Sequence, residues 1–149
     1  MRRFLLALLL ISGFALSLPV HAAPNAAPDE AKAMAVRAAE FLRTAGQEKA
    51  FAAFNANDSQ FHDRDLYVFA WTTDGMCVAH GANPVLIGRN LLNLKDIEGK
   101  PIGNEFVAVS DASWISYKWQ NPQTKGIEHK TSYVVRVDNF IVGVGAYKQ

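Results

Sequence analysis

The stretch YKWQNPQTKGIEHKTSYVVRV, residues 117–137, gathers side chains that could do chemistry. Tyr117, Trp119 and Tyr133 each offer aromatic surface together with an O–H or N–H donor. Lys130 adds a cation, and His80, at the end of the run GMCVAH, adds a group that can donate or titrate near neutral pH. Apolar walls with a few convergent donors are what a small-molecule pocket requires. The plainer readings are cross-strand aromatic packing, a solvated edge lysine and a histidine bonded to nearby backbone. Catalysis finds less support. Cys77 and His80 stand three apart in a strand-like run, which is expected to put them on opposite faces, out of reach for a nucleophile–base pair. His62, His80 and His129, with Asp63 and Asp65, show no HxxxH or CxxC spacing. No enzyme activity, metal or cofactor is therefore expected; haem would need a non-covalent axial ligand from His80 or His129, since CxxCH is absent.

Positioning these groups falls to a simple set of elements. DEAKAMAVRAAEFLRTAG reads as an amphipathic helix capped by Asp29, with Met34, Ala38, Phe41 and Ala45 at helical spacing and Leu42 widening the stripe. Gly46 fits a stop or kink, and QEKAFAAFN adds helical turns with Phe51 and Phe54 inward. NANDSQFHDR is polar and loop-like. DLYVFAWTTDGMCVAHG holds two β-rich runs about Thr73, Asp74 and Gly75, a hairpin signal. ANPVLIGRNLLNLKDIEGKP is a long connector in which Asn83 and Pro84 shape a turn, Arg89 is a surface residue and Asp96 braces the KDIEG turn. Pro101 can start a short helix. SWISYKWQ, IEHKTSYVVRV and NFIVGVGAYK then form a three-stranded meander.

The expected fold class is α+β: a five-stranded, mostly antiparallel sheet with a long N-terminal helix on one face and the long segment crossing the other. Connectors longer than about 12–15 residues in a compact domain are usually functional. Alternation puts Ile115, Tyr117 and Trp119 on one face, and Lys130, Ser132 and Val134 opposite His129, Thr131, Tyr133 and Val135. Gly143 and Gly145 share a face of the last strand, against either the tightly packed helix or space for a ligand.

MRRFLLALLLISGFALSLPVHA has the layout of a secretory signal: Arg2 and Arg3, an apolar run, then small residues before a cut after Ala22. An uncleaved N-terminal anchor is the alternative. Residues 1–22 are read as the signal peptide and 23–149 as one domain: a tether at 23–28, a helical segment at 29–56 and a sheet region at 65–149. The mature chain would be periplasmic or secreted. Lys and Arg number 15 against 14 Asp and Glu, with no basic patch, so nucleic acid is not expected as a partner. A single cysteine, Cys77, excludes an intramolecular disulfide and reads as a buried thiol.

DLYVFAWTTDGMCVAHGANPVLIGRNLLNLKDIEGKPIG, followed by YKWQNP, HKTSYVVRV and VGVGAYK, closely resembles the single Cache domain, type 2, from about Ala31 to the C-terminus. The resemblance implies a PAS-like sheet and an extracytoplasmic sensor linked to signal transduction or chemotaxis. It implies a short organic carboxylate as ligand, with His80, Tyr117, Trp119, Lys130 and Tyr133 as its binding residues and Lys130 pairing with the carboxylate. Because Lys130 and Tyr133 belong to opposite faces of an ideal strand, this reading requires a β-bulge between them. Implied partners are a membrane receptor or histidine kinase, and a homodimer through the alanine-rich helix is possible. The competing class is a protein-interaction or adaptor module of the same fold without a small-molecule ligand.

Overall fold

The computed structural model describes residues 25–148, and the signal-peptide reading of residues 1–22 lies outside them. The N-terminal helical segment splits in two: α1, Pro28–Ala45, and α2, Gln47–Asn55. Gly46 divides them at φ 81°, a left-handed conformation that glycine adopts without steric cost. Asp29 is not the cap. Pro28 takes the first helical position, and the Glu30 carboxylate reaches back to the Ala27 N–H at 2.7 Å. Ala31, Met34, Ala35, Ala38, Ala39 and Leu42 form the buried stripe, and their small side chains let α1 lie close on the sheet. The alanine-rich face is thus covered within the chain.

Six strands follow: β1 His62–Asp63, β2 Leu66–Thr72, β3 Cys77–His80, β4 Ala112–Gln120, β5 Ile127–Val137 and β6 Phe140–Tyr147. β2, β6, β5 and β4 lie side by side in that order, all antiparallel. β1 and β3 pair with successive stretches of the other edge of β2. The expected five strands are present, and two-residue β1 is additional. It forms inside the polar stretch read as loop, where Phe61 is also buried and meets Phe54 edge-on at 4.9 Å.

Each sheet face carries its own core. Val68, Ala70, Val135, Val142 and Val144 pack under the helices. Tyr67, Phe69, Trp71, Ile115, Tyr117 and Val134 face the crossing segment. That segment contains one 3-10 turn, Pro84–Leu86, begun by the Asn83 side chain, and a short helix α3, Ile102–Val107.

The β-bulge expected between Lys130 and Tyr133 is absent. The ladder runs regularly, with Tyr117 opposite Lys130, Ile115 opposite Ser132 and Trp114 opposite Tyr133, and likewise on the β6 side. The irregularity lies instead in the β2–β3 pair: Trp71 faces Cys77 while Ala70 faces Ala79, so Val78 is the extra residue. One consequence corrects the alternation argument. Cys77 and His80 fall on the same sheet face, although the Cys77 thiol turns to the Ala79 carbonyl at 3.6 Å.

The two ends of the described chain meet at Asp65. Its fully buried carboxylate accepts the Ala26 N–H at 2.7 Å and the Tyr147 N–H at 3.3 Å. Asp65→Ala orphans both donors and is expected to cost about 2–4 kcal/mol, since hydrogen bonds to a charged group contribute ~1.5–3 kcal/mol each and are not additive. A urea titration measures it; a loss below about 0.5 kcal/mol, the range of ordinary surface substitutions, would show that the carboxylate does not hold the ends.

Candidate functional site

Between the sheet and the crossing segment lies a cavity walled by Tyr67, Phe69 and Tyr117 from the strands and by Leu94, Ile102 and Phe106 from above. It is narrow, about 10 Å³, room for roughly one water. His80 and Trp119 border it, and with Tyr67 they also border an outer depression of about 310 Å³ reaching Asn83, Gln120 and Lys125. Those three side chains therefore stand between solvent and the interior. A wider open groove of about 490 Å³ runs along Ala27, Ser116, Thr131 and Lys148; Lys130 and Tyr147 edge it as well.

Lys130 is 1 % exposed, and its ammonium has no hydrogen-bond partner among the described residues. The alternation of β5 aims the side chain to the crossing-segment face, where it lies over Gly145. A methyl group there would run into the Lys130 chain and the Ser132 hydroxyl, so glycine at 145 is what leaves room for the lysine. Gly143 does the same for the Phe69 ring. Both glycines thus face the pocket side, and their neighbours are these side chains, not the helix. The ammonium rests 3.9 Å from the centroid of the Tyr67 ring and 4.8 Å from that of Tyr147. Tyr67 is a cavity wall, so Lys130 is one ring removed from the cavity. Burial pulls its pKa well below the ordinary lysine value, with the Asp65 charge acting in the other direction.

His80 stacks near Tyr67, with ring centroids 5.0 Å apart. Its Nδ1 accepts the Ala82 N–H at 3.3 Å and the Asn83 N–H at 2.9 Å, which fixes the neutral tautomer with the proton on Nε2. Burial first, and the nearby Lys130 second, lower its pKa to about 3. The histidine is therefore a neutral N–H donor that also holds the start of the crossing segment. The backbone-bonded reading is correct for Nδ1 and leaves Nε2 to the site.

The tyrosines complete the donor set. Tyr147 donates to the Gln120 carbonyl at 2.6 Å and lies 3.4 Å from the Tyr67 hydroxyl. Tyr117 shares a 2.9 Å hydrogen bond with Ser132. Burial raises the pKa of all three, that of Tyr67 to about 12, so each stays protonated; the Tyr147 proton is committed to Gln120. Trp71 borders the cavity too, and its indole N–H has no partner among the described residues. No carboxylate borders the cavity among the described residues, and the unpartnered Trp71 N–H can serve an anionic, acceptor-rich guest. Among the described residues no group of three or more His, Cys, Asp or Glu could hold a metal ion.

Of the five residues named from sequence, His80, Tyr117, Trp119 and Lys130 come together. Tyr133 does not. It lies on the helix face, edge-on to Trp114 at 5.0 Å, with the Lys32 ammonium 5.1 Å from its ring centroid. Tyr67, Trp71 and Tyr147 went unnamed. The first two were visible in the alternation of LYVFAWT, which sets Tyr67, Phe69 and Trp71 on one face.

The crossing segment is pinned at its far end by Asp96. As expected, its carboxylate takes the Glu98 and Lys100 N–H groups of its own turn, each at 2.9 Å. It also takes the Lys118 N–H of edge strand β4 at 3.0 Å. The Lys118 bond is the main reason its pKa lies below the ordinary carboxylate value. The group's contribution to stability is complete above the unfolded value, near 4, and fades as pH falls through the lower folded one. Asp96→Asn should remove that part of the acid sensitivity. Urea titrations at about pH 5 and about pH 3 test it; an identical acid loss in the variant would refute the assignment.

A family model described as Single Cache domain 2 matches residues 30–149. Sensor histidine kinase MctS of Rhizobium johnstonii is 34% identical over 90 residues, 58% of this chain and 20% of that protein. Methyl-accepting chemotaxis protein McpP of Pseudomonas putida is 30% identical over 110 residues, 70% of this chain and 20% of that protein. The chain thus spans about a fifth of the length of these curated relatives. Among solved structures, a methyl-accepting chemotaxis protein from Vibrio parahaemolyticus superposes with a TM-score of 0.69 at 21% identity, covering 80% of this chain and 86% of that one. A Cache chemosensory domain solved for the structural basis of carboxylic acid recognition gives 0.63 at 23% identity, covering 81% and 88%. With the family model matching residues 30–149, the chain belongs to the single Cache domain 2 family.

Proposed function

We propose that the chain is an extracytoplasmic sensing domain that captures a short organic carboxylate between its sheet and its crossing segment. Lys130 pairs with the carboxylate, His80 Nε2 and the Trp71 N–H donate to it, and Tyr117 and Trp119 supply apolar wall. The observation that carries this reading is the buried Lys130 ammonium without a partner among the described residues. Such a group costs on the order of 1–3 kcal/mol or more if nothing ever answers it, and an anionic guest answers it. The carboxylic acid recognition of a structural neighbour supports the same ligand class. The kinase and chemotaxis relatives support a role in signal transduction, with a membrane receptor or histidine kinase as partner. No helix of the described residues is long and apolar enough to cross a membrane.

A protein-interaction module without a small ligand is the second reading, favoured by the narrowness of the cavity. Under the sensing reading, Tyr67 and the side chains above it move aside as the ligand enters. A thermal-shift screen of the purified protein against two- to four-carbon carboxylates separates the two. Binding to the native state raises the midpoint, by about 2.7 kcal/mol of stability at a hundredfold excess over Kd. A shift with such an acid supports capture; no shift with any of them would overturn it in favour of the interaction module.

A further inference from the structure

We propose that the site takes up its carboxylate together with one proton, which comes to rest on Lys130. This rests on the carboxylate reading above and deepens it: the guest is a monocarboxylate, and its capture is coupled to pH. None of the ion pairs among the described residues includes Lys130. The groups around it are Tyr67 from β2, His80 from β3, Tyr117 from β4 and Tyr147 from β6, with Asp65 just before β2. The crossing segment contributes only apolar side chains to the cavity roof, Leu86, Leu94, Ile102 and Phe106.

Asp65 alone among these carries a negative charge and favours the ammonium, but it makes neither a hydrogen bond nor an ion pair with it, and burial outweighs it. The tyrosines are protonated, His80 is neutral with its Nδ1 occupied, and each Asp65 oxygen already accepts a backbone N–H. The neighbouring cavity holds about one water, too little to hydrate three ammonium donors. A lone buried charge without hydration gives up its proton, so the empty site holds an uncharged amine. Its depressed pKa agrees with that geometry.

Arrival of a carboxylate reverses the balance. An anion beside the amine favours the ammonium, and the π faces of Tyr67 and Tyr147 already flank it. The balance is carboxylate plus amine plus one proton from solvent, giving an ammonium–carboxylate pair; no bond other than N–H forms. Between the empty-site and bound-site pKa values, affinity falls tenfold for each unit rise in pH. A second carboxylate on the guest would meet only neutral donors and apolar walls, which favours monocarboxylates over dicarboxylates.

Titration calorimetry of the full chain with propionate, in phosphate and in Tris at the same pH, reads the protons directly. The expected result is one proton taken up per propionate, with Kd rising about tenfold from roughly pH 7 to roughly pH 8. Succinate is expected to bind at least tenfold more weakly than propionate. Propionate binding without proton uptake, or with a pH-independent Kd, would overturn the proposal and leave carboxylate capture standing. No propionate binding in either buffer would overturn both. Lys130→Arg identifies the group, because arginine keeps its proton throughout: propionate binding to the variant should proceed without proton uptake and with a pH-independent Kd. Uptake that persists in it would place the proton elsewhere and refute the assignment to Lys130.

Discussion

Lys130→Met is expected to raise the melting temperature of the ligand-free protein while abolishing its response to carboxylates. Methionine matches the length of the lysine stem and carries no group needing a partner. It can lie over Gly145 and against the Tyr67 and Tyr147 rings, as the lysine does. Removing the unanswered nitrogen recovers about 1–3 kcal/mol, an increase on the order of 5 °C for a domain of this size. The same change deletes the buried amine that would pair with the acid, so the shift from a two- to four-carbon acid disappears. Opposite movement of stability and binding is the signature of a residue kept for function at the expense of the fold. Differential scanning calorimetry with and without propionate measures both. A variant that melts earlier than the parent, yet still responds to the acid, would show that Lys130 is structural and that the anion binds elsewhere.

The second large effect concerns α3, the helix that closes the cavity roof. Gly103 sits in its first turn with its N–H on the Leu94 carbonyl at 3.0 Å. A Cβ there would run into the Leu91 and Leu92 carbonyl oxygens and lie 2.7 Å from the Leu92 carbonyl carbon. These are backbone atoms and cannot swing away. Gly103→Ala is therefore expected to destabilise by about 3 kcal/mol or more, although alanine in an unhindered helix would stabilise by up to ~1 kcal/mol. Ile102 and Phe106 would be carried off the sheet with the helix, so ligand response falls as well. Urea denaturation decides it: a variant as stable as the parent would mean that α3 is not seated on residues 91–94.

How much of this was legible in the sequence depends on the range of the interaction concerned. The helix stripe, the hairpin, the meander and the crossing segment rest on local periodicity and turn chemistry, and they appear in the structure. Alternation alone separated Lys130 from Tyr133, and the ladder keeps them apart. The error lay in asking the strand to bulge so that a family resemblance could place both in one pocket. The true bulge at Val78 left no mark, because nothing local says which residue of β3 lacks a partner on β2. Phe61 was hidden for a related reason: its burial depends on Phe41 and Phe54 arriving from the helices, not on the polar residues beside it. Asp96 was half legible. Its bonds within the turn follow from residue type, but the bond to Lys118 joins residues 22 apart and belongs to the tertiary fold.

The Asp65 carboxylate, by tying residue 26 to residue 147, makes the described chain nearly a ring. A circular permutant that joins these ends through a short glycine–serine linker would keep the sheet order, both cores and the cavity. Its new ends could open in the exposed turn at 56–58, between α2 and β1. Such a rearranged chain would move the attachment points from Asp65 to the turn after α2, beside the Asn55 side chain that holds the His80 N–H, and so would put the grip on the domain next to what it binds.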